Sequence, residues 1–342
     1  MTTMAEAQPA AQPITQVVVG GVDTHADTHT AAVLDTAGRA LGNAQFPATP
    51  SGYQQLTDWL SGHGTVQAVG VEGTGAYGAG LARCLADAGV QVVEVDRPDR
   101  KTRRFAGKSD PIDADAAARA VLSGRATGTP KTRTGPVEAI RALRVARSSA
   151  VANRAQALTR IKALLITAPD PVRSALAGLT TTRLINACAA LRPDRTRAGD
   201  PEQATKIALR SLARRHTQLA VEITDLDELL DDLVATVNPR LVAANGVGTD
   251  VAGQLLTTAG DNPERLHSEA AFAALCGVAP VPASSGKTSR HRLNRGGDRR
   301  ANAALYRVAL CRLRWDPRTQ AYKQRRTHEG LSTKEIIRCL IG

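Results

Sequence analysis

Between Val17 and Val95, apolar segments of strand and helix length follow one another in an order that few folds accept. VVVGGVDTH, THTAAVLDT and a shorter run over Leu41 to Phe46 are separated by turn residues, so they read as three consecutive antiparallel strands. Thr49-Pro50-Ser51 has the chemistry of a helix start and opens an amphipathic segment that reaches Ser61. The apolar strand Val66 to Glu72 comes next, then a helix over Ala76 to Ala88, and after Gly89 a last strand over Val90 to Val95. Three meandering strands followed by helix, strand, helix and strand join an antiparallel half to right-handed parallel crossovers.

That order is the ribonuclease H-like one, so an α/β domain is expected over residues 17–130. An Ala-rich helix over Pro111 to Leu122 and a linker of Gly, Pro, Thr and Lys from Gly124 to Pro136 close it. Residues 1–16 lack a basic n-region followed by an apolar h-region, and read as a disordered leader. Further on, Ile140 to Leu165 is helical, and Leu219, Ile223, Leu226, Leu230, Leu233 and Val237 alternate at spacings of four and three, an a/d heptad seam. A helical section is therefore expected over 137–238, its seam facing either a second helix of the same chain or a second chain. After Asn238-Pro239, short helices broken by Gly246, Gly248, Gly260 and Gly277 lead to SSGKTSRHRLNRGGDRRAN, so a third, mainly α unit spans 240–342. The chain stops at Cys339-Leu340-Ile341-Gly342 within a helical pattern, and a C-terminal continuation is expected.

Charge narrows the function. The net charge is +12, and from Lys287 to Arg326 thirteen Lys or Arg face two acids, Asp298 and Asp316. A local positive excess of this kind suits a polyanion, and nucleic acid is the expected partner. Aromatic residues are 3% of the chain, so contacts to phosphates are favoured over base stacking. No apolar run approaches the length of a membrane span, and a cytoplasmic, nucleoid-associated protein is expected. Cys84, Cys188, Cys276, Cys311 and Cys339 form no C-x-x-C pair and read as small buried apolar residues.

Carboxylates carry the chemistry. Asp23 ends the first strand and Glu72 the fourth, and in this strand order those ends are neighbours. Asp110 and Asp113, in KSDPIDAD, lie one helical turn apart and can face one site. Converging hard oxygen ligands of this kind hold Mg²⁺ or Mn²⁺. Taken singly, Asp110 before Pro111 also has the look of a helix N-cap, and Asp23 of a turn residue. Gly73, Gly75 and Gly78 spell the dinucleotide-binding G-x-G-x-x-G, with Asp96 ending the next strand. Three strands precede that motif, however, and Glu72 would lie beside the pyrophosphate, which disfavours an NAD-binding oxidoreductase. His25 and His29, four apart on a strand and turn, are not spaced for one metal and read as incidental.

Ser284-Ser285-Gly286 precedes the basic run, where Lys287, Arg290, Arg292, Arg295, Arg299 and Arg300 offer cations to a phosphodiester. By itself it is an ordinary loop. Asn245-Gly246-Val247-Gly248, opening a helix, has the look of a phosphate-binding hairpin.

GVDTHADTHTAAV, VEGTGAYG, KSDPIDADAAARA, NGVGTDVA and LCGVAPVPASSGKTSRHRLNRGGDRRANAAL, in that order, resemble the DEDD transposases of insertion sequences of the "IS one-ten" type, which include the pilin-gene invertases. The resemblance runs from about residue 17 to the end. It implies a RuvC-like domain with Asp23, Glu72, Asp110 and Asp113 as the metal-binding tetrad, a coiled-coil section for dimerisation, and a C-terminal domain in which Ser285 attacks DNA. It further implies a homodimer or homotetramer that recombines double-stranded DNA, the element ends and a target, guided by a structured noncoding RNA. Asn294-Arg295-Gly296-Gly297 fits the family pattern only loosely, which leaves open the cation that assists Ser285. A RuvC-like hydrolytic nuclease for branched DNA, and a nucleic-acid-binding protein with an inactive nuclease fold, are the rival readings.

Overall fold

The computed structural model describes residues 16–95, 109–286, 291–292, 294 and 296–341. They form two compact units, Met1–Arg133 with Asn262–Arg265, and Thr134–Asp261 with Leu266–Gly342.

The first unit is a mixed five-stranded sheet with helices on both faces. Its strands are β1 (Val17–Thr24), β2 (Thr28–Asp35), β3 (Ala40–Pro47), β4 (Thr65–Glu72) and β5 (Val92–Val95), in the order β3-β2-β1-β4-β5. β2 pairs antiparallel with β1 and β3, while β4 runs parallel to β1 and β5. β1 and β2 are buried almost throughout, as strands covered on both faces must be.

Alternation along β1 sorts its residues between two layers. Val18 and Val22 face α1 (Pro50–Gly62) and α2 (Ala79–Asp87), whose Leu56, Leu60, Leu81 and Leu85 fill the core on that side. Burying each of these leucines stabilises the unit by roughly 1.5–3 kcal/mol. Thr49 caps α1, its Oγ1 accepting from the Gly52 amide at 3.2 Å. α2 starts three residues later than the apolar pattern suggests, because Gly73–Gly78 is spent in turns, with Gly73 at φ 69°. The G-x-G-x-x-G is thus a turn after the fourth strand of a mixed sheet. Its companion Asp96 lies outside the described residues.

On the opposite layer, α3 (Asp110–Leu122) lies across β1, β2 and β4 and buries Ala114, Ala117 and Ala118. Its backbone comes so close that a Cβ on Gly21 would sit 2.2 Å from both the Ala114 carbonyl and the Ala118 amide. Glycine in the strand and alanine in the helix are what permit this approach.

The second unit is helical. α4 (Pro136–Ile166) and α7 (Pro201–Val237) pack antiparallel: Ile140 meets Leu230 and Val234, while Ile161 meets Leu209 and Ala213 at the other end. The heptad seam is therefore filled by α4 of the same chain, with Ile223 and Leu230 buried on it. α5 (Asp170–Leu176) and α6 (Thr181–Ala190) complete that end, through Val172, Leu176, Leu184 and Ile185. α8 (Pro239–Val242), α9 (Thr249–Ala259) and α10 (Glu269–Leu275) follow, then the two-residue strands β6 (Val281–Pro282) and β7 (His291–Arg292), and last α11 (Arg299–Trp315), α12 (Pro317–His328) and α13 (Thr333–Ile341). No helix among the described residues is long and apolar enough to cross a membrane. Cys188 and Cys276 are buried as expected, but Cys84 and Cys311 are only partly so and Cys339 is exposed.

Candidate functional site

The chemistry gathers where β1, β4 and α3 end together. Val22 is in register with Val71, so Asp23 and Glu72 follow one another's strands at the same edge of the sheet. Thr24 ties that edge, its hydroxyl donating to the Glu72 carbonyl at 2.8 Å. Asp23 shares the face of Val19 and Gly21, toward α3, whose first turn carries Asp110 and Asp113. Asp23 and Asp113 are buried, at 8% and 4% exposure, whereas Asp110 is more open.

The helix start differs from its reading as an Asp110 cap. Ser109 occupies the cap position, its carbonyl accepting the Ile112 and Asp113 amides, and Asp110 is already helical. The Asp110 carboxylate instead faces His25, whose Nε2 lies 3.5 Å from Asp110 Oδ1 and 3.3 Å from Asp23 Oδ2. His25 is thus not incidental. Residues two apart at a strand end share a face, and the spacing from Asp23 to His25 was the signal for it. His29 is a different case, fully buried and stacked on Tyr53 with ring centroids 5.4 Å apart.

Burial pushes the Asp23 carboxyl above its ordinary value; His25 pulls it back, and Asp113 and Asp110 add to the rise. An acid cluster of this kind is held together at an electrostatic cost that a divalent cation would relieve. The donors fit one: the ligand atoms of Asp23, His25 and Asp110 all lie within 4.8 Å of one another. Neighbouring ligands around an octahedral ion with bonds near 2.1 Å are about 3 Å apart, close to the two histidine distances.

In the second unit Ser285 is exposed on the loop after β6, followed by Gly286 in the left-handed conformation at φ 55°. Of the expected phosphate-binding cations, Arg292 is exposed on β7, and Arg299 and Arg300 are exposed at the start of α11. Lys287, Arg290 and Arg295 lie outside the described residues. Both acids of the basic segment are structural. Asp298 accepts from the Arg300 and Ala301 amides, and Asp316 from that of Thr319. The Asn245–Gly248 turn opens α9, but the first turn of that helix holds Asp250, paired with Arg144 at 2.8 Å and Arg307 at 2.9 Å. A carboxylate thus lies at the helix end that was expected to meet a phosphate.

Two family comparisons cover this chain. Residues 20–168 match the DEDD transposases of IS110 type, and residues 238–324 match the transposases of the IS116/IS110/IS902 family. The insertion element IS900 uncharacterized 42 kDa protein of Mycobacterium paratuberculosis is 29% identical over 133 residues, 36% of this chain and 33% of that protein. The insertion element IS110 uncharacterized 43.6 kDa protein of Streptomyces coelicolor is 31% identical over 131 residues, 37% of this chain and 31% of its own length. The chain thus spans about a third of the curated relatives it matches. Both family matches fall in the order of the motifs, the carboxylates within the first and Ser285 within the second, and the chain belongs to the IS110-type family of insertion-sequence transposases.

Proposed function

We propose that this protein is an insertion-sequence transposase that cleaves and rejoins double-stranded DNA in a metal-dependent reaction. The observation that carries the reading is the convergence of Asp23, Asp110 and His25 beside Glu72 and Asp113, in a chain of this family. The sheet order, an antiparallel half continued by parallel strands, suits a ribonuclease H-like, RuvC-like domain.

Asp23, Glu72, Asp110 and Asp113 would hold Mg²⁺ or Mn²⁺, with His25 as a further ligand. A cation bound there supplies positive charge against a phosphoryl group under attack. The chain's own contribution is to bring these side chains to one sheet edge and to keep Asp23 and Asp113 largely out of water, where their charges act at low dielectric. Ser285 is the proposed nucleophile: its Oγ bonds to phosphorus, the bond from phosphorus to the deoxyribose oxygen breaks, and that oxygen takes up a proton. Attack by a strand hydroxyl on the phosphoserine then reseals DNA and returns the serine. Arg292, Arg299 and Arg300, with Lys287, Arg290 and Arg295, are the proposed phosphate contacts. A structured noncoding RNA as guide, and a homodimer or homotetramer as the working form, rest on the family resemblance.

The test uses the protein purified with its co-expressed nucleic acid, labelled element-end DNA and Mg²⁺, resolved on a denaturing gel. Wild type should leave DNA covalently attached to protein, Ser285→Ala should not, and Asp23→Asn should lose cleavage altogether. Free cleaved DNA from wild type and Ser285→Ala alike would make the protein a hydrolytic nuclease.

A further inference from the structure

The α4–α7 hairpin is charged in two blocks. From Thr217 to Val237 the chain has six acids and no Lys or Arg, and this segment packs along the N-terminal half of α4, where Arg147 pairs with Asp227. From Ser148 to His216 the balance is inverted, with twelve Lys or Arg against four acids. That excess of eight lies outside the basic C-terminal segment, in a chain whose total is +12.

The folded hairpin concentrates the second block. Arg154, Arg160 and Lys162 on α4, and Arg210, Arg214 and Arg215 on α7, belong to the same end because the helices are antiparallel. Among the described residues none of the six has an ion-pair partner, whereas the arginines of the other end, Arg141, Arg144 and Arg147, all do. A groove of about 470 Å³ lies between the helices here, where the hydrogen-bond donors Asn153, Gln156, Arg160 and Arg215 line it together with Ala157, Leu212 and Leu219. His216 registers the field: burial first, and then Arg154, lower its tendency to take a proton.

Arg160, Lys162, Arg214 and Arg215 are exposed and Arg154 and Arg210 half-buried; cations left without carboxylates, beside a groove that offers further donors, suit phosphate oxygens. No Phe, Tyr or Trp occurs between Pro136 and Val237, so a single strand would find no ring to stack on. From Arg154 to Lys162 the cations run roughly 12 Å along the helix axis, a length over which duplex DNA carries about seven charges.

We propose that the basic half of the α4–α7 hairpin is a second DNA interface, one that grips the phosphate backbone of duplex DNA without reading its sequence. The inference rests on the transposase reading for the identity of the polyanion. Its contribution would be to hold DNA by a part of the chain distinct from Ser285 and the carboxylates.

The experiment is fluorescence anisotropy of a labelled duplex DNA of arbitrary sequence across 50–300 mM salt, about the physiological range and somewhat beyond, with EDTA present so that no catalysis contributes. The wild type is compared with Arg154→Gln/Arg160→Gln/Arg214→Gln/Arg215→Gln and with the matching all-Lys variant, after thermal unfolding has shown that each is folded. The Gln variant should lower the slope of log affinity against log salt by about 3 to 4, and the Lys variant should keep it. An unchanged slope in the Gln variant would overturn the interface while leaving the transposase reading intact. So would a loss confined to structured RNA, and so would a wild type with no affinity for duplex DNA.

Discussion

Gly21→Ala adds one methyl group to β1, and the structure says where it must go. The new Cβ would lie 2.2 Å from two backbone atoms of α3, the Ala114 carbonyl oxygen and the Ala118 nitrogen. Ordinary contact requires about 3.4 Å, so the helix must retreat by roughly 1 Å, because a helix backbone has no rotamer with which to yield. Overpacking of this kind costs about 1–3 kcal/mol, which for a unit of this size lowers Tm by roughly 3–10 °C. The functional effect should be larger than the loss of stability. Asp110 and Asp113 ride on the first turn of α3, and a shift of about 1 Å separates them from Asp23 and Glu72, which should weaken Mn²⁺ binding and cost on the order of 100-fold in the rate of DNA cleavage. Mn²⁺ affinity by isothermal titration calorimetry and Tm by differential scanning calorimetry would be measured side by side. Gly62→Ala is the control: nothing lies within 4 Å of that position, and replacing glycine near a helix end should be neutral or stabilise by up to about 1 kcal/mol. If Gly21→Ala bound Mn²⁺ as wild type does and melted within a degree of it, the argument from close helix-sheet approach would be wrong.

His25→Ala should weaken Mn²⁺ binding by about 10-fold while leaving Tm of the metal-free protein nearly unchanged, since the side chain is half exposed; equal affinities by calorimetry would remove His25 from the ligand set. Asp250→Asn should destabilise the second unit by about 1–3 kcal/mol, discounted for the carboxylate's partial exposure. Although burial works to raise it, Arg144, Arg307 and Arg147 hold the Asp250 carboxyl below its ordinary value. A lowered carboxyl stabilises above the unfolded value, near 3.9, and loses that contribution as pH falls through the folded one, so the gap between wild type and Asp250→Asn in urea melts should close below about pH 4 and stay constant above it. Leu230→Ala, on the seam, should cost about 2–5 kcal/mol by leaving a cavity against Ile140; a loss under 1 kcal/mol by the same melts would mean that the seam is not packed by α4.

Much of the candidate site was legible because its signals are local, although only Asp23 and Asp110 of the four acids fall in the tight cluster with His25. Asp23 closes an apolar run, Glu72 closes another, and Asp110 and Asp113 are one turn apart beside a proline, so each acid announces its place through neighbours in the chain. His25 was obscured by pairing it with His29, the other imidazole of the motif; the useful partner was the carboxylate two residues away. Asp110 as a cap was a sound local reading that failed because Ser109 takes the cap and leaves the acid free to face His25. The start of α2 was misplaced for a related reason, since Ala76 and Tyr77 fit an amphipathic pattern while the glycines around them set turns.

By itself the sequence determined the order and type of elements in the first unit, the heptad stripe on α7, and the two basic blocks, because periodicity and charge are properties of neighbouring residues. Only the tertiary structure decided that α4 fills the heptad stripe, that the antiparallel pairing gathers at one end cations with no ion-pair partner among the described residues, and that Gly21 draws α3 onto the sheet. Those outcomes join residues tens of positions apart, and a pattern within one segment carries no record of which distant surface will cover it.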